Sequence, residues 1–132
     1  MAQEFNELHS ARILVVASDQ RLRIYLSELL IANFGDVHFV DSGAKAEKLL
    51  NKDSFDVVIS DFFLSDMTGV EFREVMAKKH TQPFFILLTG HAMDPRIQER
   101  VAKDHFLVLQ KPPHADELVL QIRSWFRVKK AS

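Results

Sequence analysis

Cysteine is absent from this chain of 132 residues, which excludes disulfide bonds, thiolate chemistry and cysteine-based metal sites. Charge of one sign is not in excess either, because 17 Lys and Arg residues stand against 18 Asp and Glu residues, for a formal net charge of −1. This balance gives no electrostatic reason to expect nucleic acid or an acidic membrane as a partner. Internal repeats and low-complexity segments are also lacking, so a chain of this length predicts one domain.

Long hydrophobic runs are missing as well. No apolar run approaches the ~20 residues that a transmembrane helix needs. The first seven residues contain neither the basic region nor the apolar region of a signal peptide. We therefore expect a cytoplasmic protein without a membrane partner, and the lack of cysteine is compatible with a reducing compartment.

What the sequence does contain is a regular alternation of short apolar runs and helical patterns. The apolar runs predict five strands, at 13–17, 37–40, 57–59, 84–88 and 106–109. Capping signals and periodicity predict five helices, at 20–34, 42–50, 68–80, 95–103 and, after the break at Lys111-Pro112-Pro113, a last helix that ends near 128. Strict alternation implies right-handed crossovers and a parallel sheet with helices on both faces. The predicted fold is one doubly wound α/β domain over 12–128, with tails at 1–11 and 129–132.

One carboxylate stands at the end of the strand predicted to be the most buried. Asp61 follows the apolar run Val57–Ile59, Thr89 ends the fourth apolar run, and Lys111-Pro112 follows the fifth. In open α/β sheets, chemistry takes place outside the carboxyl ends of the strands. Phosphoryl transfer needs a nucleophilic oxygen and positive charge on the equatorial oxygens. Asp61 would supply the oxygen, Lys111 the cation and Thr89 a hydroxyl, and the bond before Pro112 is a candidate for a cis peptide.

Three motifs in this order carry a family resemblance: Asp61 with Leu64 and Gly69 three and eight residues later, Thr89, and Lys111-Pro112. With them the chain resembles the receiver domain of two-component response regulators over about residues 12–128. The resemblance implies a flavodoxin-like sheet of order 2-1-3-4-5. It also implies that Asp61, assisted by Thr89 and Lys111, accepts a phosphoryl group from a histidine kinase or phosphotransfer protein. A receiver of this kind is not an enzyme in its own right.

The chain departs from the family where a metal ion is usually held. Two adjacent acidic residues usually follow the first strand, but Ala17 and Ser18 stand there, and the nearest carboxylate is Asp19. Mg²⁺ prefers several oxygen ligands, carboxylates among them. Asp61 and Asp19 are the candidate metal ligands, although Asp19 is more simply a helix N-cap. We therefore expect Mg²⁺ binding to be weak or absent.

The site also lacks the aromatic residue whose rotamer usually reports phosphorylation in the family, the switch aromatic. Val108 stands three residues before Lys111, where an aromatic is usual, and Phe106 shares its strand face as a weak substitute. Gly90 after Thr89 suits a close approach of backbone to phosphate. His91 is interpreted as a solvated side chain, with phosphate binding as the alternative.

The remaining predictions concern partners. Ile24, Ile31 and Leu120 fall outside the predicted core faces, so they either pack against neighbouring elements or form a docking patch for a partner helix. No output domain follows the last predicted helix, so we expect output through contact with a downstream protein target, unless the chain is a piece of a longer protein. A homodimer is a further option.

Two other functions are alternatives to phosphoryl acceptance. A degenerate receiver would act as a docking module without phosphorylation. A hydrolase of the haloacid dehalogenase type would need a second Asp two residues after Asp61, where Phe63 stands. A nucleotide site is not indicated, because no Gly-rich fingerprint follows the first strand.

Overall fold

The computed structural model describes residues 11–79 and 83–131, and it contains the five expected strands. The strands are β1 (Arg12–Val16), β2 (Asp36–Val40), β3 (Val57–Asp61), β4 (Phe84–Thr89) and β5 (Leu107–Gln110). They form one parallel sheet in the order β2-β1-β3-β4-β5, which confirms the expected topology with β2 at an edge. The helices are α1 (Gln20–Asn33), α2 (Gly43–Leu50), α3 (Gly69–Lys79), α4 (Pro95–Asp104) and α5 (Ala115–Ala131).

The sheet is covered on both faces because successive residues of a strand point to opposite sides. One face carries side chains that pack with α1 and α5, including Ile13, Val15, Ile59, Leu88, Leu26, Leu118 and Ile122. The other face carries side chains that pack with α2, α3 and α4, including Leu14, Val58, Leu87, Ala46, Phe72, Met76 and Ile97. The continuous apolar runs of the central strands are thus explained, since both faces of these strands are buried.

The predicted helix starts are confirmed by side-chain capping contacts. Asp19 accepts a hydrogen bond from the Arg21 N–H at 2.8 Å, so it is the N-cap of α1. Thr68 and Glu71, three residues apart, form a capping box at α3, with both reciprocal hydrogen bonds at 3.1 Å. Such contacts satisfy N–H groups that the first turn of a helix leaves without partners.

Most element ends differ from the prediction by one to three residues, and the differences near the end of the chain and at residue 11 are the most informative. Helix α5 continues to Ala131 instead of ending near Val128, because the last residues favour helix and contain no stop signal. Strand β5 begins at Leu107, one residue after the predicted start. Ala11, placed in the predicted tail, is 1% exposed and belongs to the core, whereas residues 1–10, 80–82 and 132 lie outside the described residues.

Three apolar side chains on the helices remain at the surface. Ile24 and Ile31 on α1 are 53% and 60% exposed, and Leu120 on α5 is 57% exposed. Their burial against neighbouring elements, one of the two expected outcomes, is therefore wrong. None of the helices in the described part of the chain combines the length and hydropathy needed to cross a bilayer.

A close backbone approach lies beneath the candidate site. A Cβ added at Gly69 would lie 2.5 Å from the Asp61 carbonyl oxygen and 2.7 Å from Leu87 Cδ1. We predict that Gly69→Ala lowers the free energy of unfolding by about 1–3 kcal/mol, the usual cost of overpacking. Urea denaturation measures this loss.

Gly90 is the matched control, because a Cβ there would meet nothing within 4 Å and the described glycines have no positive φ. Gly90→Ala should change the unfolding free energy by about 0.5 kcal/mol or less. Equal losses in the two variants would show that the close approach at Gly69 is not the cause.

Candidate functional site

Strand register brings the three predicted site residues to one edge of the sheet. Asp61 is the last residue of β3, Thr89 is the last residue of β4, and Lys111 directly follows β5. Asp61 pairs with Leu88 across β3 and β4, and Thr89 pairs with Gln110 across β4 and β5. The three ends are therefore level at the carboxyl edge of the sheet, where chemistry is expected in this fold class.

An ion pair links two of these residues directly. The Lys111 Nζ donates to Asp61 Oδ1 at 2.8 Å, and the Lys111–Pro112 peptide bond is cis. The Asp61 side chain is 3% exposed, whereas that of Lys111 is 30% exposed. A carboxylate withdrawn this far from water needs a charged partner. Lys111 meets that need, and its long side chain extends from solvent to the buried oxygen.

Thr89 is held in place by the chain on both sides. Its carbonyl oxygen accepts from the Lys111 N–H at 2.9 Å, and its Oγ1 accepts from the His91 N–H at 3.1 Å. Thr89 is 2% exposed and His91 is exposed, in agreement with the interpretation of His91 as a solvated side chain. The hydroxyl proton of Thr89 is free to be donated elsewhere, since the His91 contact uses only an oxygen lone pair.

Gln110 is a site-edge residue that the sequence did not single out. Its Nε2 donates to the Gly90 carbonyl oxygen at 2.6 Å, and its Oε1 accepts from the Ala92 N–H at 3.1 Å. The Gln110 side chain therefore links the loop after β4 to the end of β5, directly before Lys111. A Gln in the last position of a strand carries no recognisable signal, because these contacts depend on where the loop passes.

The loop after β1 shows what replaces the usual acidic pair. Ala17 is buried, and the Ser18 hydroxyl donates to the Asp41 carbonyl oxygen at 2.7 Å while accepting from the Ser65 N–H at 2.8 Å. Ser18 thus joins the loops after β1, β2 and β3. The carboxylate of Asp19 is exposed and engaged as the cap of α1, so the simpler of its two interpretations matches its contacts.

Other carboxylates near this edge of the sheet also form hydrogen bonds with backbone or side-chain groups of the protein. Asp66 accepts from the Gly43 and Ala44 N–H groups, both at 2.9 Å. The hydrogen bond from Lys45 lowers the pKa of Asp41, and that from Arg96 lowers the pKa of Asp94 to about 2. Among the described residues no group of three His, Cys, Asp or Glu side chains is arranged to hold a metal ion. With Asp61 as a lone carboxylate ligand, Mg²⁺ would depend on water and phosphate oxygens for the rest of its octahedral shell.

The candidate substitute for the switch aromatic lies at the other end of its strand. Phe106 precedes β5, is 6% exposed and meets Phe85 edge-on, with ring centroids 5.6 Å apart. Four residues of extended chain separate it from Gln110, which is about 13 Å at the rise of a parallel strand. Phe106 is therefore a core residue and does not replace the missing ring at Val108.

A cavity of about 470 Å³ opens beside Thr89, between the loop after β3 and helix α4. Its apolar walls and charged rim include Phe62, Phe63, Val70, Ile97, Arg96 and Arg100. Phe63 is 66% exposed and meets the Phe62 ring edge-on at 4.8 Å, while nearby Met93 is 81% exposed. In the sequence, Phe63 is informative only as the residue that occupies the place of a hydrolase's second Asp, and nothing there signals this surface.

With this geometry in place, the family is established by comparison. The family model described as the response regulator receiver domain matches residues 13–123. The chain therefore belongs to the receiver domains of two-component response regulators. Membership agrees with the sheet order, the buried Asp61 and the cis peptide after Lys111.

Two curated relatives illustrate the range of proteins that contain such a domain. The chain is 31% identical over 109 residues to the transcriptional regulatory protein GlrR of Escherichia coli K12, which is 82% of this chain but only 24% of GlrR. It is 29% identical over 112 residues to the response regulator receiver protein CpdR of Brucella abortus, covering 84% of this chain and 92% of CpdR. The match to GlrR is thus to one part of a much longer protein.

Solved structures give the same assignment. The non-phosphorylated HemR receiver domain from Leptospira biflexa has a TM-score of 0.77 at 27% identity, covering 87% of this chain and 93% of that one. The signal receiver domain of an HD domain-containing protein from Pseudomonas fluorescens Pf-5 has a TM-score of 0.81 at 26% identity, covering 92% and 98%.

Removal of the lysine should expose the cost of burying Asp61. We predict that Lys111→Met lowers the free energy of unfolding at pH 7 by about 1–3 kcal/mol, because the carboxylate loses its charged partner. The double variant Asp61→Asn/Lys111→Met should recover part of that loss. Urea denaturation of the two single variants and the double variant gives the coupling energy, and additive losses would contradict this account.

Proposed function

We propose that this receiver domain accepts a phosphoryl group on Asp61 from a histidine kinase or phosphotransfer protein and passes the signal on by protein contact. The observation that carries the proposal is the 2.8 Å pairing of Lys111 with a nearly buried Asp61 at the carboxyl edge of the sheet. Fixed positive charge beside a nucleophilic oxygen is what phosphoryl transfer requires of a protein.

The transfer itself is a displacement at phosphorus. A carboxylate oxygen of Asp61 forms a bond to phosphorus as the bond from phosphorus to the imidazole nitrogen of the donor breaks, and that nitrogen leaves with the bonding electron pair. Lys111 then shifts from the carboxylate to the phosphoryl oxygens, whose charge it neutralises. Thr89 donates its hydroxyl proton to the same oxygens. The product is an acyl phosphate, a known form of carboxylate intermediate.

Surface features support protein partners for the input and the output. Ile24 and Ile31 leave apolar surface on α1, and the cavity beside Thr89 offers a second apolar surface bordered by Phe63. Such exposed apolar groups are typical of protein-binding surfaces. The proposal includes a cytoplasmic location, a downstream protein target, and an acceptor role instead of an enzymatic one. Nucleic acid and membranes are not among the proposed partners, and formation of a homodimer is a further option.

Phosphorylation of Asp61 is directly testable. Incubation with a small phosphodonor, and then with the cognate kinase, should add the mass of one phosphoryl group, removable by hydroxylamine because an acyl phosphate is labile to it. We expect Asp61→Asn to abolish this adduct, since an amide oxygen is a much weaker nucleophile. Intact-protein mass spectrometry measures the result.

Asp66→Asn is the control, because Asp66 is an exposed carboxylate in the loop that follows Asp61, and its contacts are with backbone N–H groups. The adduct should persist in this variant. An unmodified wild-type protein after treatment with its cognate kinase would refute phosphoryl acceptance.

A docking module that needs no phosphorylation is the second candidate, and the commitment of Ser18 to two hydrogen bonds with neighbouring loops favours it. The two candidates predict opposite behaviour of Asp61→Ala. If the domain is a phosphoryl acceptor, this variant should lose its signalling phenotype while remaining folded. Unchanged partner binding and phenotype would favour the docking module.

A further inference from the structure

We propose that Gln110 is a positioning residue for phosphoryl acceptance, because its side-chain amide fixes the peptide unit that orients the Thr89 hydroxyl. This role rests on the proposed function, in which that hydroxyl donates its proton to the phosphoryl oxygens. It adds to that function a residue that acts on the transferred group only through Thr89.

The main chain of β5 loses its hydrogen-bond donors just after Lys111. The Lys111 N–H donates to the Thr89 carbonyl oxygen at 2.9 Å, but Pro112 and Pro113 follow and have no N–H. These two residues therefore offer no backbone donor to the loop that continues from β4 beyond Thr89.

The Gln110 side chain supplies the missing donor. Its Nε2 donates to the Gly90 carbonyl oxygen at 2.6 Å and its Oε1 accepts from the Ala92 N–H at 3.1 Å, so the amide brackets His91. In a parallel ladder, a backbone residue bonds in the same way to the carbonyl before and the N–H after the residue opposite it. The amide thus forms one additional bridge between β5 and the loop, opposite His91.

The peptide unit between Gly90 and His91 is held at both ends. This unit is trans, so its carbonyl and its N–H point in opposite directions. The carbonyl oxygen accepts from Gln110, and the N–H donates to Thr89 Oγ1 at 3.1 Å. Rotation of the unit would break both hydrogen bonds. The Gln110 amide therefore keeps the N–H directed at the Thr89 hydroxyl oxygen.

Packing does not hold this peptide unit. Gly90 is exposed, and a Cβ added there would meet nothing within 4 Å. Glycine also restricts its own backbone less than any other residue. The hydrogen bonds of Gln110 and Thr89 are thus the main restraints on the unit. Because Gln110 lies at the surface, where water can replace its contacts, we expect its loss to affect orientation more than stability.

The direction of the His91 N–H decides what the Thr89 hydroxyl can do. A hydroxyl has one proton to donate and two lone pairs that accept. With a lone pair engaged by the N–H, the proton remains for the phosphoryl oxygens on Asp61. If the peptide unit turned its carbonyl toward Thr89 instead, the hydroxyl proton would be donated to that carbonyl and withdrawn from the phosphoryl group.

The first experiment measures the peptide unit without phosphoryl transfer. Relaxation of ¹⁵N in the full chain gives the order parameter of the His91 N–H. We expect about 0.85 in the wild type, as in rigid backbone, and about 0.6 or lower in Gln110→Ala. An unchanged order parameter in Gln110→Ala, with no microsecond-to-millisecond exchange at this amide, would overturn the role.

Gln98→Ala is the matched control. The Gln98 Nε2 donates to the Ala92 carbonyl oxygen at 2.5 Å, so it holds the same loop without contacting the Gly90–His91 unit. The order parameter of His91 should stay at the wild-type value in this variant. An equal loss in Gln98→Ala would show that any loosening of the loop has this effect, against a specific role for Gln110.

The second experiment measures phosphoryl acceptance. Each protein is treated with a small phosphodonor in a buffer that contains Mg²⁺, and the adduct is followed by mass spectrometry. We expect Gln110→Ala to slow the reaction by about threefold or more, the usual effect of losing a hydrogen bond, and Gln98→Ala to react at the wild-type rate. The double variant Thr89→Ala/Gln110→Ala should be no slower than Thr89→Ala, because Gln110 acts through Thr89. Losses that multiply in the double variant would overturn this role.

The same measurement separates this role from the proposed function. An adduct that forms equally fast in the wild type and in Gln110→Ala overturns the role and leaves phosphoryl acceptance intact. A wild type that forms no adduct, even with its cognate kinase, overturns the proposed function and this role together. If urea denaturation shows that Gln110→Ala does not fold, Gln110→Met replaces it, since methionine keeps the side-chain length without the amide.

Discussion

The ion pair between Lys111 and Asp61 is the constraint on which the rest of the site depends. A carboxylate that is 3% exposed loses most of its hydration, and one ammonium at 2.8 Å offsets part of that loss. The pair can form only if β3 and β5 end level with each other on either side of β4, as their register requires. Below it, the backbone of Gly69 touches the Asp61 carbonyl so closely that no side chain fits. The fold and the site are thus specified by the same few strand ends.

Much of this arrangement could be predicted from the sequence because its causes are local. Both faces of the central strands are buried, so the strands appear as uninterrupted apolar runs, and the helix starts carry their own caps at Asp19, Thr68 and Asp94. Parallel alternation then fixes which strand ends meet. Asp61, Thr89 and Lys111 were found in this way, since each sits at the carboxyl end of its own strand.

Contacts between loops could not be predicted from the sequence. It showed that Ala17 and Ser18 replace acidic residues, but not that the Ser18 hydroxyl joins the backbone at Asp41 to that at Ser65. It placed Arg23 on a helix without indicating that its guanidinium turns back to the Ala17 carbonyl. The end of α4 at Asp104 lies one residue from its predicted position, although its cap, His105 with φ 57°, is neither the glycine nor the asparagine that usually adopts this conformation.

The missing aromatic at Val108 does not leave the site isolated from the surface. Lys111 donates its backbone N–H to the Thr89 carbonyl, and Gln110 holds the same loop at Gly90 and Ala92. If Asp61 is phosphorylated as proposed, a shift of Thr89 toward the phosphoryl group would either move β5 as well or break these hydrogen bonds. Since Thr89 also lines the cavity beside Phe63, either outcome alters the shape of an exposed apolar surface. In the proposed function, these backbone and amide hydrogen bonds would therefore couple the site to that surface.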